Sequence, residues 1–125
     1  MRKLAAVYLK LVAAAVVIHF CVWPFYGPGD SPEEPSNPDV WLVLDWFMAA
    51  ALAVTILSLW RWPNQNHRGD RAMRIFAAAV TIAFVPNWFA AMASGTDNPT
   101  IWHLIDTALP ILLWLEARRL WQQTG

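Results

Sequence analysis

A single cysteine, Cys21, stands in the whole chain, so no disulfide can form within it and no Cys-x-x-Cys pair offers a redox or metal motif. No small-residue lipobox precedes Cys21, and its place in an apolar run reads as packing. Charge is scarce as well. Asp, Glu, Lys and Arg make up 14% of the 125 residues, too little to solvate a soluble domain of this size. The formal net charge is zero, which removes the electrostatic basis for nucleic-acid binding. Catalytic signatures are also missing: there is no Walker loop, dinucleotide fingerprint, His-Glu-x-x-His or nucleophile elbow. The sequence therefore points to no catalytic activity of the chain's own.

What is abundant is apolar. Hydrophobic residues are 58% of the chain, and they come in blocks rather than in alternation. The blocks predict helices over about 4–26, 40–60, 72–93 and 100–121, each about as long as the 20 residues that cross a bilayer's hydrocarbon core. Lipid tolerates only helices or closed barrels, and runs this long and rich in Ala and Leu are not strands. The expected fold is an all-α membrane protein, a bundle of four transmembrane helices forming one integral membrane domain over 1–125. The basic start at Arg2 and Lys3 resembles a signal peptide, but Lys10 interrupts the run and no small-x-small site follows it. The run ends in Trp23, Pro24, Phe25 and Tyr26, an interface anchor, so the first helix is read as retained.

The connections sort the charges. Residues 27–39 and 94–99 contain Asp30, Glu33, Glu34, Asp39 and Asp97 and no Lys or Arg. Residues 61–71 carry Arg61, Arg68 and Arg71, and Arg74 follows; Arg2, Lys3 and Lys10 begin the first span, and Arg118 and Arg119 end the fourth. Every basic residue falls on one side of a four-span topology. The positive-inside rule then puts both termini in the cytoplasm, with 27–39 and 94–99 as outer loops and 61–71 as the inner loop. His67 sits in that inner loop and reads as solvated. Of the nine tryptophans, Trp60, Trp62, Trp114 and Trp121 mark the inner interface, and Trp23, Trp41, Trp88 and Trp102 the outer one. Short loops and this charge sorting fit a multi-pass protein of a bacterial inner membrane.

Residues 37–45 read NPDVWLVLD and residues 98–106 read NPTIWHLID, with four positions identical and three conservative. The helices before them also rhyme, with Ile18-His19-Phe20 ahead of Pro24 and Ile82-Ala83-Phe84 ahead of Pro86. The chain is therefore expected to be two tandem helical hairpins related by an internal duplication, in parallel orientation. Asn before Pro is a good outer helix start, since Asn caps free amides and Pro presets the first turn. The acids Asp45 and Asp106, one turn further in, exceed what a helix start needs. A carboxylate at that depth is costly against lipid and is expected to face protein or water.

Asp45, Asn87, His103 and Asp106 share one depth near the outer face, with His19 slightly deeper. Pro24, Pro86 and Pro110 lie in spans too, and Pro110 deprives the Asp106 carbonyl of its helical donor. The inner half offers little that is comparable beyond Thr55, Ser58 and Thr81. Together these suggest a hydrated outer pocket. Its candidate uses are a transition-metal site of His19, His103, Asp45 and Asp106, a small-ligand site, a proton relay through the two aspartates, or hydrogen bonds that only fix packing. Haem between His19 and His103 is disfavoured by their difference in depth, on the order of 5 Å.

Ala49 with Ala53 and Ala79 with Ala83 have the small-xxx-small spacing that lets helices approach closely, within the bundle or against other subunits. Small size, missing catalytic motifs and these seams favour an accessory or structural subunit of a larger membrane complex, such as a membrane oxidoreductase, with lipid and other membrane subunits, hetero- or homo-oligomeric, as partners. The alternatives are a metal- or small-ligand-binding membrane protein and a small oligomeric transporter.

Overall fold

The computed structural model describes residues 1–26, 40–63 and 67–124. It is all-helical: α1 spans Arg2–Tyr26, α2 Val40–Arg61, α3 His67–Ser94 and α4 Pro99–Gln122. The expected loop 27–39 lies outside the described residues, as do 64–66 and the side chain of His67. α3 begins at His67 rather than near residue 72, with Asp70 in its first turn, where a helix N-terminus favours an acid.

Each helix buries one stripe at helical spacing. In α1 it is Ala6, Leu9, Val12, Ala13 and Val16; in α2 it is Met48, Ala51, Leu52 and Leu59. α3 contributes Ala77, Val80 and Phe84, and α4 contributes Ile105, Leu109, Leu112, Leu113, Ala117 and Leu120. α4 packs most extensively on α1, then on α3; α2 bridges to α3 and α1 and touches α4 across the bundle. Ala6, Ala13, Ala51, Ala77 and Ala117 are the small residues buried at these seams.

The outer faces are as apolar as the core. Leu4, Leu11, Ile18 and Phe25 form an exposed stripe along α1, and Ile75, Ile82 and Phe89 form another along α3. A helix that is hydrophobic all round belongs in a protein core or in lipid, and these stripes face outward. α1, α2 and α3 are long and apolar enough to cross a membrane. α4 is of similar length, at 24 residues, but it carries Asp106, Glu116, Arg118 and Arg119 among its apolar positions. Three of those four side chains, all but Arg118, are buried, so the polarity that dilutes α4 points into the bundle.

One end of the bundle gathers both ends of the chain. Arg2 donates from Nη1 to the Gln123 carbonyl (3.4 Å) and lies over the Trp62 ring, 5.4 Å from its centroid. Lys10 sits over Trp121 at 4.7 Å and Trp114 at 5.6 Å, and Arg74 donates to the Leu59 carbonyl at 3.3 Å.

Candidate functional site

The opposite end is built on the α3–α4 turn. Asn98 caps α4, its Oδ1 accepting from the Thr100 and Ile101 amides at 2.9 and 3.4 Å, with Pro99 following where no amide is needed. Asn87, on α3 and buried, grips the same residue from behind. Its Oδ1 accepts from the Asn98 amide (2.7 Å) and its Nδ2 donates to the Asn98 carbonyl (3.2 Å). Gly95 takes φ +61°, which lets the chain reverse between α3 and α4. The Trp102 indole donates to Asp97 Oδ2 at 2.6 Å, fixing that ring against the turn.

This frame holds open a cavity of about 710 Å³ to which all four helices contribute. Its aromatic wall is Phe20, Trp23, Trp41, Trp88 and Trp102, and its polar groups are Asp45, Asp97, His103 and Asp106. The volume lies in the usual range of small-molecule sites, and the mix of apolar wall and a few convergent polar groups is typical of them. Asp45 and Asp106, the acids of the two sequence copies, are both buried and both line it, as do their tryptophans, Trp41 and Trp102. Asp106 is 7% exposed, and its Oδ1 has no hydrogen-bond partner among the described residues. His103 is exposed, and its Nδ1 stands 2.6 Å from the Pro99 carbonyl. A carbonyl only accepts, so Nδ1 carries a proton and donates. The His103 carbonyl in turn accepts from the Thr107 hydroxyl.

Of the five candidate residues, Asp45, His103 and Asp106 therefore meet at the cavity, whereas His19 and Asn87 do not line it. His19 is buried with its ring packed edge-on against Trp41 (4.3 Å between centroids) and Trp23 (5.5 Å), so it supports the wall from outside the cavity. Asn87 serves the turn. Among the described residues, no three His, Cys, Asp or Glu side chains stand close enough together to hold a metal ion. The outer tryptophans read as interface anchors are half-buried and form cavity wall, whereas Trp60 and Trp121 are exposed on the outside of the bundle. Asp97 was not singled out, because an acid in a Ser-Gly-Thr-Asp-Asn-Pro turn looks like turn chemistry. Its spacing of five from Trp102 is the signal that would have found it.

A second polar centre lies at the other end, and it corrects the expectation that the inner half holds little beyond Thr55, Ser58 and Thr81. Glu116 is fully buried, with both oxygens on the Arg119 guanidinium: Nε to Oε2 at 2.7 Å and Nη2 to Oε1 at 2.6 Å. The Ser58 hydroxyl reaches Glu116 Oε1 as well as the Thr55 carbonyl. Arg119 Nη1 donates to the Trp62 carbonyl at 2.6 Å and lies 3.8 Å from Asp70 Oδ1. Arg119 thus ties α4 to the start of α3 and to the residue after α2, rather than serving as a free interfacial cation. The sequence showed the acid and base three apart at a helix end, which reads as a solvated pair. Only the packing of α2 and α3 over them makes the pair internal.

No family model, curated protein or solved structure matches the chain.

Proposed function

We propose that the chain is a multi-pass membrane protein that binds a small molecule in the outward-facing cavity, with α4 completing four spans. The observation that carries this reading is the cavity itself: about 710 Å³, walled by tryptophans, with the buried Asp106 carboxylate in its lining and one oxygen without a hydrogen-bond partner among the described residues. A buried acid is costly in a membrane protein unless it has a function or a partner. Fixing helix packing explains Asn87 and Arg119 well, since their polar atoms are taken up by protein. It does not explain Asp106.

The contacts of Arg2, Lys10, Arg74 and Arg119 at one end, with no Lys or Arg among the residues lining the cavity at the other, support an orientation with both termini in the cytoplasm. The bacterial inner membrane is the setting that fits. The equal burial of Asp45 and Asp106 supports an origin by duplication of a helical hairpin. The test is to purify the protein gently, identify small molecules that stay bound by native mass spectrometry, and repeat with Trp102→Leu. A retained molecule lost in the variant is expected. A chain that carries nothing, and whose melting is unmoved by cationic, neutral and anionic small molecules, refutes the reading.

A role as an accessory subunit is the second reading, and one observation favours it. α2 and α3 meet loosely around a groove of about 310 Å³ lined by Ala77, Ala78 and Thr81, and Ala53 and Ala79 are exposed on the same two helices. Small residues on an outer face let a partner helix approach closely. Co-purification of a larger membrane protein, abolished by Ala79→Leu, is the expected result. A solubilised chain that runs alone, with no loss of partner in that variant, overturns it.

A further inference from the structure

We propose that the outer cavity takes an organic ammonium group, carried either by a free molecule or by a lipid headgroup; this deepens the reading above and rests on it.

The argument begins with charge. The polar side chains lining the cavity are three carboxylates and one imidazole, and none of the lining residues is Lys or Arg. An anionic ligand would meet three carboxylates, with only the His103 imidazole to offset them. A neutral ligand can donate an O–H or N–H to a carboxylate but leaves the charge of three acids uncompensated. Asp106 is more than nine-tenths buried, its Oδ1 has no hydrogen-bond partner among the described residues, and it lines the cavity. A cation with an N–H or a polarised N–CH₃ supplies what that oxygen lacks.

The walls select among cations. Four tryptophans line the cavity; Trp23 and Trp41 cross at 60° with centroids 6.3 Å apart, and Trp102 is fixed by its bond to Asp97. Indole faces attract cations within about 6 Å and do so best for weakly hydrated ones, which is how aromatic cages hold quaternary ammonium groups. A metal ion needs several close oxygen or nitrogen ligands, and among the described residues no such trio exists. A volume of about 710 Å³ is also far larger than an ion needs. Carboxylates for the charge and indoles for the alkyl groups together specify a bulky organic ammonium.

The experiment measures binding to the full chain in dodecyl maltoside micelles by calorimetry. The probes are benzyltrimethylammonium, its uncharged carbon isostere neopentylbenzene, and the anion phenylacetate. The cation is expected to bind at least tenfold more tightly than either of the others. Asp106→Asn should weaken the cation at least tenfold and leave the isostere unchanged. Trp41→Leu, on a different helix, should weaken the cation too, which keeps the test decisive if Asp106→Asn does not fold. Doping the micelles with phosphatidylethanolamine separates the sources. Competition assigns the site to a lipid headgroup, and undiminished binding assigns it to a free amine; either supports the proposal. Isostere or anion binding as well as the cation overturns the ammonium assignment while leaving the cavity a binding site. Binding by none of the three overturns both.

Discussion

Replacing Arg119 with Met tests the internal ion pair directly. The guanidinium makes two bonds to Glu116 at 2.7 and 2.6 Å and one to the Trp62 carbonyl at 2.6 Å, with Asp70 3.8 Å away. Met has similar length and no charge, so the variant leaves Glu116, which is fully buried, with only the Ser58 hydroxyl. Removing one partner of a buried pair costs about 3–5 kcal/mol, because the other charge is stranded away from solvent. At about 1.4 kcal/mol per decade that is a hundred- to several-thousand-fold drop in the folding equilibrium. The companion variant removes the charges together: Arg119→Met with Glu116→Leu, and Asp70→Asn so that no acid is left behind. Replacing a buried ionic group by apolar residues of similar volume is often neutral or stabilising, so this variant should regain most of the loss. Unfolding by SDS titration in mixed micelles, followed by circular dichroism, gives both values. If Arg119→Met lies within about 1 kcal/mol of the parent, or the combined variant is as unstable as the single changes summed, the pair is not the internal tie inferred from its geometry.

At the other end, Asn87→Ala strips the Asn98 amide of its partner, leaving the Asn98 carbonyl with the Trp102 amide, and should destabilise by about 1–3 kcal/mol, whereas Asn98→Ala removes only a helix cap and should cost about 1 kcal/mol. Thermal unfolding that ranks them the other way would refute the view that Asn87, rather than the cap, holds the turn. For orientation, a Cys21→Ser background removes the native thiol. A cysteine at Thr96 should then react with a membrane-impermeant maleimide in intact cells, and one at Arg61 only after permeabilisation. The opposite pattern inverts the topology.

The all-helical fold and three apolar helices were legible because lipid-facing helices must be apolar along their whole length, and blocks such as Leu42–Leu59 advertise that without any knowledge of partners. The buried acids Asp45 and Asp106 were legible for the same reason, since an acid inside such a block has nowhere else to go. Glu116 and Arg119 were not. A charged pair three apart near a helix end satisfies itself in water as readily as in a core, and nothing local says that Ser58 and Asp70, from other helices, close over it. The tryptophans misled in the other direction. Trp41 and Trp102 have the depth of interface anchors, and depth is all that sequence supplies; which way a ring at that depth turns is decided by neighbours such as Asp97 and His19.

Both polar centres draw on α4, and that explains why α4 is not among the helices apolar enough to cross a membrane. On the biological insertion scale a charged residue at a helix centre costs about 2.5–3.5 kcal/mol, against a gain of about 0.3–0.6 for each Leu or Ile. Asp106 and Glu116 therefore leave α4 poorly suited to lipid on its own; Glu116 pairs with Arg119 within the helix, and Ser58 of α2, Asp70 of α3 and the Trp62 carbonyl complete the cluster. The same requirement fixes how α4 sits. Turning it by one residue, about 100°, would swing Glu116 out of the bundle, so among rotations of α4 the native one alone satisfies the inner cluster. The native rotation also sets Asp106 into the cavity wall with Asp45. On the proposed reading of the cavity, loosening the ion pair by Arg119→Met should weaken benzyltrimethylammonium binding in calorimetry even though neither side chain of the pair lines the cavity, and unchanged binding refutes this coupling along α4.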